Sequence, residues 1–345
     1  MIDKNFCMSS YLTFRYIENE NKDFFPGMKH HIFSPIPGDK RIKCKSAQDI
    51  DEAMKNTFKD IQGKKGLLLS GGMDSAVLAS YMPNCDAYTF RFLNGNFQKD
   101  ELNRAEQYAK KYNLNLHYVD IDWNTVKEHL EPVLRTKQAP VHSIEPQLLQ
   151  AALQAKADGI EVLITGAISD LTFGGMDGLL SKDWTFDEFV KRYTFLNPIE
   201  VLKEPVSMNY LFEKYRQGEN IDFQNFLFDI SYVECEGAYD NAFNTAKIAY
   251  VDPYASLIMA EPFDLKRIRN GESKYYIRKL FSMKYPEIPV PEKVPMPRPV
   301  DEYFKDWEGP TREEFLPNLD MSKFTGNQKW QLYCLEYFLN LFEKI

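Results

Sequence analysis

Gly66-Leu-Leu-Leu-Ser-Gly-Gly-Met-Asp-Ser-Ala-Val-Leu-Ala-Ser-Tyr81 is the stretch that decides the fold. Its first four residues are a short apolar run, the pattern of a buried strand. Ala76–Tyr81 reads as a helix. Between them lies Ser70-Gly-Gly-Met-Asp-Ser75, a turn rich in glycine and hydroxyl groups. Two adjacent glycines let the backbone turn tightly and come close to an anion. A helix starting there points free N–H groups and its positive dipole end at the turn. The turn therefore suits a phosphate or pyrophosphate. Asp74 is the informative oddity. A carboxylate beside phosphate is repulsive unless a cation lies between them, and Mg²⁺ held by a carboxylate and phosphate oxygens meets that need. The loop lacks the GxxxxGK[ST] of P-loop ATPases. The competing reading is a glycine-rich turn with no ligand.

Outward from this stretch the chain alternates. Ala87–Phe92, Leu116–Asp120 and Glu161–Thr165 read as further strands. Helical patterns fall between them at Glu101–Tyr112, Val126–Leu134 and Pro146–Ala157. Strands alternating with helices of a dozen residues predict a doubly wound parallel α/β sheet with both faces covered. A second loop, Thr165-Gly-Ala-Ile-Ser-Asp170, follows the fourth strand, and Gly174-Gly175 lies just beyond it. Ligands of open α/β sheets sit at the carboxyl ends of strands, so both loops are expected to face one crevice. Upstream, Ser46-Ala-Gln-Asp49 is a candidate cap for a helix through Ile50, Met54 and Phe58. Residues 1–45 read as irregular. Beyond about residue 180 the pattern turns helical, with segments at 184–193, 206–215, 222–228, 239–249, 275–281 and 330–341. The six prolines between Pro286 and Pro299 predict an extended loop.

Composition sets bounds. The chain has 345 residues, 44% hydrophobic and 27% charged, enough to bury a sizeable core. Its 42 basic and 50 acidic residues leave a net charge of −8, which argues against nonspecific nucleic-acid binding. Aromatic residues cluster late and read as core. Cys7, Cys44, Cys85, Cys235 and Cys334 are scattered and never spaced as CxxC, so neither a disulfide framework nor a zinc site is expected. No long apolar run or leader is visible, and the expected compartment is the cytoplasm without membrane association. No histidine pair has metal-ligand spacing; His142 is a candidate substrate contact.

These motifs resemble the synthetase domain of the asparagine synthetase family, ATP pyrophosphatases that cleave between the α- and β-phosphates. Leu68–Ser75 is similar to that family's pyrophosphate loop. Thr165–Asp170 with Gly174-Gly175 resembles its second loop, usually SGEGSDExFGGY. Ser273-Lys-Tyr-Tyr-Ile-Arg278 resembles its late lysine motif, and Pro291-Glu-Lys293 a following basic stretch. Ser10–Tyr16 with Pro26-Gly27 looks like the linker before this domain. The resemblance thus implies an extension over 1–45 and a synthetase-like domain of adenine-nucleotide α-hydrolase type over 46–345, helical from about 180.

The resemblance also implies roles. Leu68 and Phe90 would frame adenine. Ser70, Gly71, Gly72 and Ser75 would bind pyrophosphate, and Thr165 and Gly166 would touch the nucleotide. Asp74 and Asp170 would hold Mg²⁺, while Lys274 and Lys293 would supply catalytic charge. The implied activity is ATP-dependent formation of an amide-type bond through an adenylated small-molecule carboxylate, with ammonia or an amine as nucleophile. Departures narrow this. Ala167 stands where the family usually has Glu, and Ala249-Tyr-Val-Asp-Pro-Tyr254 lacks the acid and arginine of ExRxPFLD. The acceptor is therefore expected not to be aspartate. Arg91 reads equally as an anion clamp or a sheet-edge charge. Residue 2 is Ile and fewer than 70 residues precede the loop, so no glutaminase is expected in this chain. Nitrogen would come as free ammonia, as an amine, or from a separate glutaminase subunit. Two other readings remain open: a nucleotide-binding regulatory subunit, and an ATP-dependent sulfurtransferase.

Overall fold

A computed structural model describes residues 1–94, 98–292 and 298–343. Five parallel strands form the central sheet: β1 (Lys65–Leu68), β2 (Asp86–Phe92), β3 (Asn115–Ile121), β4 (Val162–Ile164) and β5 (Ala249–Val251), in the order β3-β2-β1-β4-β5. The strand order reverses at β1. The chain builds to one side through β2 and β3, then crosses back so that β4 pairs with β1 through Lys65↔Val162 and Leu67↔Ile164. The expected doubly wound sheet is present, and its switch point lies between the two loops that follow β1 and β4.

Helices cover the sheet in two groups. Trp123–Lys137, Glu145–Ala157 and Tyr232–Ala246 pack on one another; Ala47–Asp60 and Met73–Ala79 pack on Tyr275–Lys284. Ser46 caps the 47–60 helix by accepting from Asp49 N, the residue pairing expected. The helix expected over 239–249 begins earlier, at Tyr232, and ends at Ala246, where the chain enters β5. The late aromatic residues do build core: Trp123, Tyr303, Phe304, Trp330 and Tyr333 form one cluster, Tyr108, Tyr112, Phe281 and Tyr285 another.

The first 45 residues are less irregular than expected. Lys4–Phe14 is a helix, capped by Asp3 accepting from Phe6 N. It shows no amphipathic stripe because nearly all its sides are buried. Its polar residues are paired internally: Thr13 Oγ donates to Ser9 O, and Ser10 Oγ to Tyr16 O. It docks on the last helix, Gly326–Phe342, where Gln331 Nε2 donates to Tyr11 O at 2.9 Å. Tyr11 Oη and Trp330 Nε1 both donate to Val141 O. Further on, Ile42–Cys44 pairs in parallel with Leu257–Met259.

One ion pair sits inside this core. Lys137 Nζ lies 2.8 Å from Glu145 Oε1, and both side chains are buried. Glu145 also accepts from His142 N and Asn241 Nδ2. Burial pushes its pKa up against the pull of Lys137. Breaking such a pair strands a charge and two further donors. Glu145→Ala is expected to cost about 3–5 kcal/mol of stability, measurable by urea denaturation; a loss within the error of the titration would show that Lys137 escapes to water.

Candidate active site

The loop after β1 is held in shape by its own hydroxyls. Ser75 Oγ accepts from Ser70 N at 3.0 Å and lies 3.0 Å from Ser70 Oγ, which accepts from Gly72 N at 3.1 Å. From outside, Arg104 Nε donates to Gly71 O at 2.9 Å. Gly71 is obligatory in this packing: a Cβ there would lie 2.5 Å from the backbone oxygen of Glu101. Glu101 borders the loop as well. Burial raises its pKa, while the Gly71 amide and Arg104 pull it back.

Asp74 opens the helix Met73–Ala79, and Asp170 lies in the short helix Ser169–Phe173 that follows β4. One ammonium joins them. Lys274 Nζ is 2.6 Å from Asp74 Oδ2 and 2.6 Å from Asp170 Oδ1. Ser169 Oγ donates to the other oxygen of Asp74 at 2.7 Å. Lys274 is only 3% exposed and occupies the left-handed region (φ 50°, ψ 41°) just before the helix Tyr275–Lys284. That conformation is unfavourable for a side chain other than Gly or Asn. Burial works against its charge, yet the two carboxylates outweigh burial and raise its pKa. The ammonium therefore stays protonated throughout the physiological range. Gly175 makes room for this arrangement: a Cβ there would lie 2.3 Å from Asp170 Oδ1 and 2.8 Å from Lys274 Cδ.

These groups line one cavity of about 180 Å³. Leu68, Phe90, Ser70, Gly72, Ser75, Thr165, Gly166, Asp74, Asp170 and Lys274 all border it. Of the residues expected at the site, Gly71 contributes backbone to the loop, and Lys293 lies outside the described residues. Arg91 is settled as a sheet charge: it is paired with Asp120 through Nε and Nη2 across the β2–β3 register, away from the cavity. Ala167 presents a methyl group in the cavity wall. Reading by sequence missed Gln98, Glu101, Arg104, Tyr239, Ser273 and Arg278, which also line it. Ser273 and Arg278 bound the late lysine motif that the resemblance flagged without a role for either; the other four fall in helices and loops whose pattern carries no motif.

The two loop carboxylates fit a divalent cation. A single Nζ touches both, so they converge on one point. Among the described residues no cluster of three or more His, Cys, Asp or Glu is placed to hold a metal. A cation here would thus need phosphate oxygens and water to complete its shell, as Mg²⁺ commonly does.

Behind the second loop lies a buried acid pair. Asp252 accepts from Ile168 N at 3.0 Å and from Tyr254 N at 2.9 Å. Glu236 lies against it. Burial lifts both, Asp252 to about 6 and Glu236 well above the usual carboxylate range, so the pair shares a proton. Tyr254 in turn donates to Asp74 O. The five cysteines are free, and among the described residues none lines the cavity.

The family model for asparagine synthase matches residues 47–225. The chain belongs to the asparagine synthase family. No curated protein matches it in sequence. Among solved structures it is similar to an NH3-dependent NAD synthetase from Campylobacter jejuni, at 20% identity over 38% of this chain and 61% of that one, with a TM-score of 0.26. The chain thus spans about three fifths of that protein's length. It is also similar to the U34-tRNA thiolase NcsA from Methanococcus maripaludis (12% identity, 72% and 83% covered, TM-score 0.28). An NMN synthetase from Francisella tularensis matches at 14% identity over 59% of this chain and 96% of that one, with a TM-score of 0.26. Membership in this family supports ATP use on the parallel sheet described above. No helix among the described residues is long and apolar enough to cross a membrane.

The acid pair sets a pH dependence. Two carboxyls with raised pKa hold protons that the unfolded chain releases, so stability falls as pH rises through the folded values. Glu236→Gln supplies a permanent donor to Asp252. It is expected to flatten the decline that the raised Asp252 pKa predicts between about pH 4 and 6, and to raise the melting temperature at neutral pH. An unchanged stability–pH curve would overturn the shared proton.

Proposed function

We propose that this family member adenylates a small-molecule carboxylate and passes the acyl group to ammonia or an amine. In the first step a carboxylate oxygen attacks the α-phosphorus of ATP, and the bond to the bridging oxygen breaks to release pyrophosphate. In the second, the nitrogen's lone pair attacks the carbonyl carbon. AMP leaves with the electrons of the C–O bond, and the nitrogen's surplus proton passes to solvent. Adenylation turns a poor leaving group into a good one, and binding both reactants converts a bimolecular step into a local one.

One observation carries this reading: the Lys274 ammonium between Asp74 of the first loop and Asp170 of the second, over the cavity framed by Leu68 and Phe90. Among the described residues this triad's charge sums to minus one, two carboxylates against one ammonium. A polyphosphate approaching that sum is repelled; a divalent cation on Asp74 and Asp170 reverses its sign. Mg²⁺ bound there would screen the phosphates and favour departure of pyrophosphate. The chain's own residues do the rest. Ser70, Gly72 and Ser75 present a preshaped cradle to the outer phosphates. Thr165 and Gly166 lie at the nucleotide wall, and Lys274 stays charged as phosphoryl charge redistributes.

The acceptor side supports an acid other than aspartate. A site for aspartate must pair an ammonium and two carboxylates, because unpaired charges in a closed site are costly. Ala167 offers no acid; Ala249 is exposed at the start of β5, and Val251 offers no cation. Nitrogen can arrive as free ammonia or from a separate glutaminase subunit.

The test is pyrophosphate–ATP exchange across a panel of carboxylates, with AMP and product measured after adding ammonium. Exchange should require an acid and Mg²⁺. Asp74→Asn and Asp170→Asn should each cut it by at least ~100-fold, in line with losing ~2.7 kcal/mol or more of transition-state stabilisation. Lys274→Ala should lower kcat far more than it weakens ATP binding. ADP in place of AMP, or full exchange in either Asn variant, would overturn the assignment.

A further inference from the structure

Arg104 and Arg278 both line the cavity bordered by Asp74, Asp170 and Lys274. Each is anchored in the same way. Arg104 Nε donates to Gly71 O at 2.9 Å, and Arg278 Nε donates to Ser273 O at 2.7 Å. Gly71 belongs to the phosphate loop, and Ser273 immediately precedes Lys274. One nitrogen of each guanidinium is thus fixed to the backbone beside a group already placed at the site. Among the described residues the other two nitrogens, Nη1 and Nη2, have no hydrogen-bond partner, and neither arginine is in ion-pair contact with a carboxylate.

The helices that carry them bring the two side chains together. Arg104 lies in Lys99–Lys111 and Arg278 in Tyr275–Lys284. About one turn further along, these helices meet ring on ring: Tyr108 lies 5.9 Å from Phe281 and 5.1 Å from Tyr285 between centroids. Both helices start at the cavity, since Gln98 and Glu101 line it ahead of Arg104, and Ser273 and Lys274 line it ahead of Arg278. The two guanidiniums therefore stand at similar heights on neighbouring helices, one beside the phosphate loop and one beside Lys274.

The loop itself leaves positive charge to be supplied. Its three leading amides are already engaged: Ser70 N with Ser75 Oγ, Gly72 N with Ser70 Oγ, and Gly71 N with the Glu101 carboxyl group. The cradle has its shape, but those N–H groups are taken. A triphosphate carries more negative charge than one divalent cation cancels, and Asp74 with Asp170 outweighs Lys274. Two further acids, Glu101 and Glu292, border the same cavity. A guanidinium held at Nε presents Nη1 and Nη2 as a fork matched to phosphate oxygens.

We propose that Arg104 and Arg278 form a two-armed clamp on the outer phosphates of the nucleotide. Neither residue has a role in the motifs that mark the family. That the clamped part is also the leaving group rests on the adenylation reading; the clamp itself does not. On that reading the bond from the α-phosphorus to the bridging oxygen breaks, its electrons stay on pyrophosphate, and both guanidiniums meet the added charge.

The experiment measures binding by calorimetry with Mg²⁺ present, using α,β-methylene-ATP, AMP and inorganic pyrophosphate as probes. Arg104→Gln and Arg278→Gln are each expected to weaken α,β-methylene-ATP and pyrophosphate by about tenfold or more, and AMP by less than about twofold. Affinity for pyrophosphate should fall as salt rises, and more gently in each variant, because a charged contact has gone. A variant that had lost only backbone support would keep the slope of the unaltered protein. Undiminished affinity for α,β-methylene-ATP, an equal loss for AMP, or an unchanged salt slope overturns the proposal. Should Arg104→Gln melt below the assay temperature through loss of its bond to Gly71 O, Arg278→Gln decides by the same readings. Pyrophosphate–ATP exchange separates the clamp from the chemistry. Selective loss of affinity in the variants, with no exchange by the unaltered protein, supports the clamp and strikes adenylation; exchange, with undiminished affinity in the variants, does the reverse.

Discussion

The ammonium of Lys274 sits between two carboxylates that belong to different loops, and much of the site is arranged around that contact. Asp74 comes from the turn after β1, Asp170 from the turn after β4, and Lys274 from a helix start a hundred residues further on. Without the cation, two like charges would face each other at the switch point of the sheet. With it, they are drawn to one point. The lysine accepts a left-handed backbone to reach that point, and local strain of this kind persists only where surrounding contacts over-determine it. Gly175 is the steric counterpart, since any side chain there would push Asp170 away.

The second loop is held from behind by a different device. Asp252 takes the Ile168 amide, and Tyr254, two residues on, reaches Asp74 O. One short stretch after β5 thereby touches both loops. The sequence departs from its family's pattern in that stretch, and the structure shows what the departing residues do: a buried acid supports the backbone of the loop whose side chain at position 167 has been reduced to a methyl.

Most of the sheet and the phosphate end could be read directly. A strand, a Gly-Gly turn and a helix in immediate succession constrain backbone and ligand together, and the period switches from two to 3.6 within a few residues. The first helix could not be read in this way. It is buried on nearly every side, so it carries small residues and aromatic residues all round and no polar stripe. The cluster around His142 was also illegible. Arg15, His142 and Arg298 meet from three distant places in the chain, and none carries a spacing signal. Arg91, which could be read as a clamp, is neutralised by a partner that only the strand register reveals.

The docking of the first helix on the last has a temporal consequence. Tyr11, Val141 and Gln331 are joined across most of the chain's length, and Arg15 leaves that first helix to meet the His142 ring. On a ribosome the N-terminal helix emerges long before its cover has been synthesised. Its apolar sides must wait exposed, or be shielded by a chaperone, until residues 326–342 clear the exit tunnel. The nucleotide loops, by contrast, can gather as soon as residues up to the Lys274 helix are out. The contacts around Lys274 can thus form earlier in synthesis than the docking of the two terminal helices, and chains truncated before residue 326 would carry the first without the second.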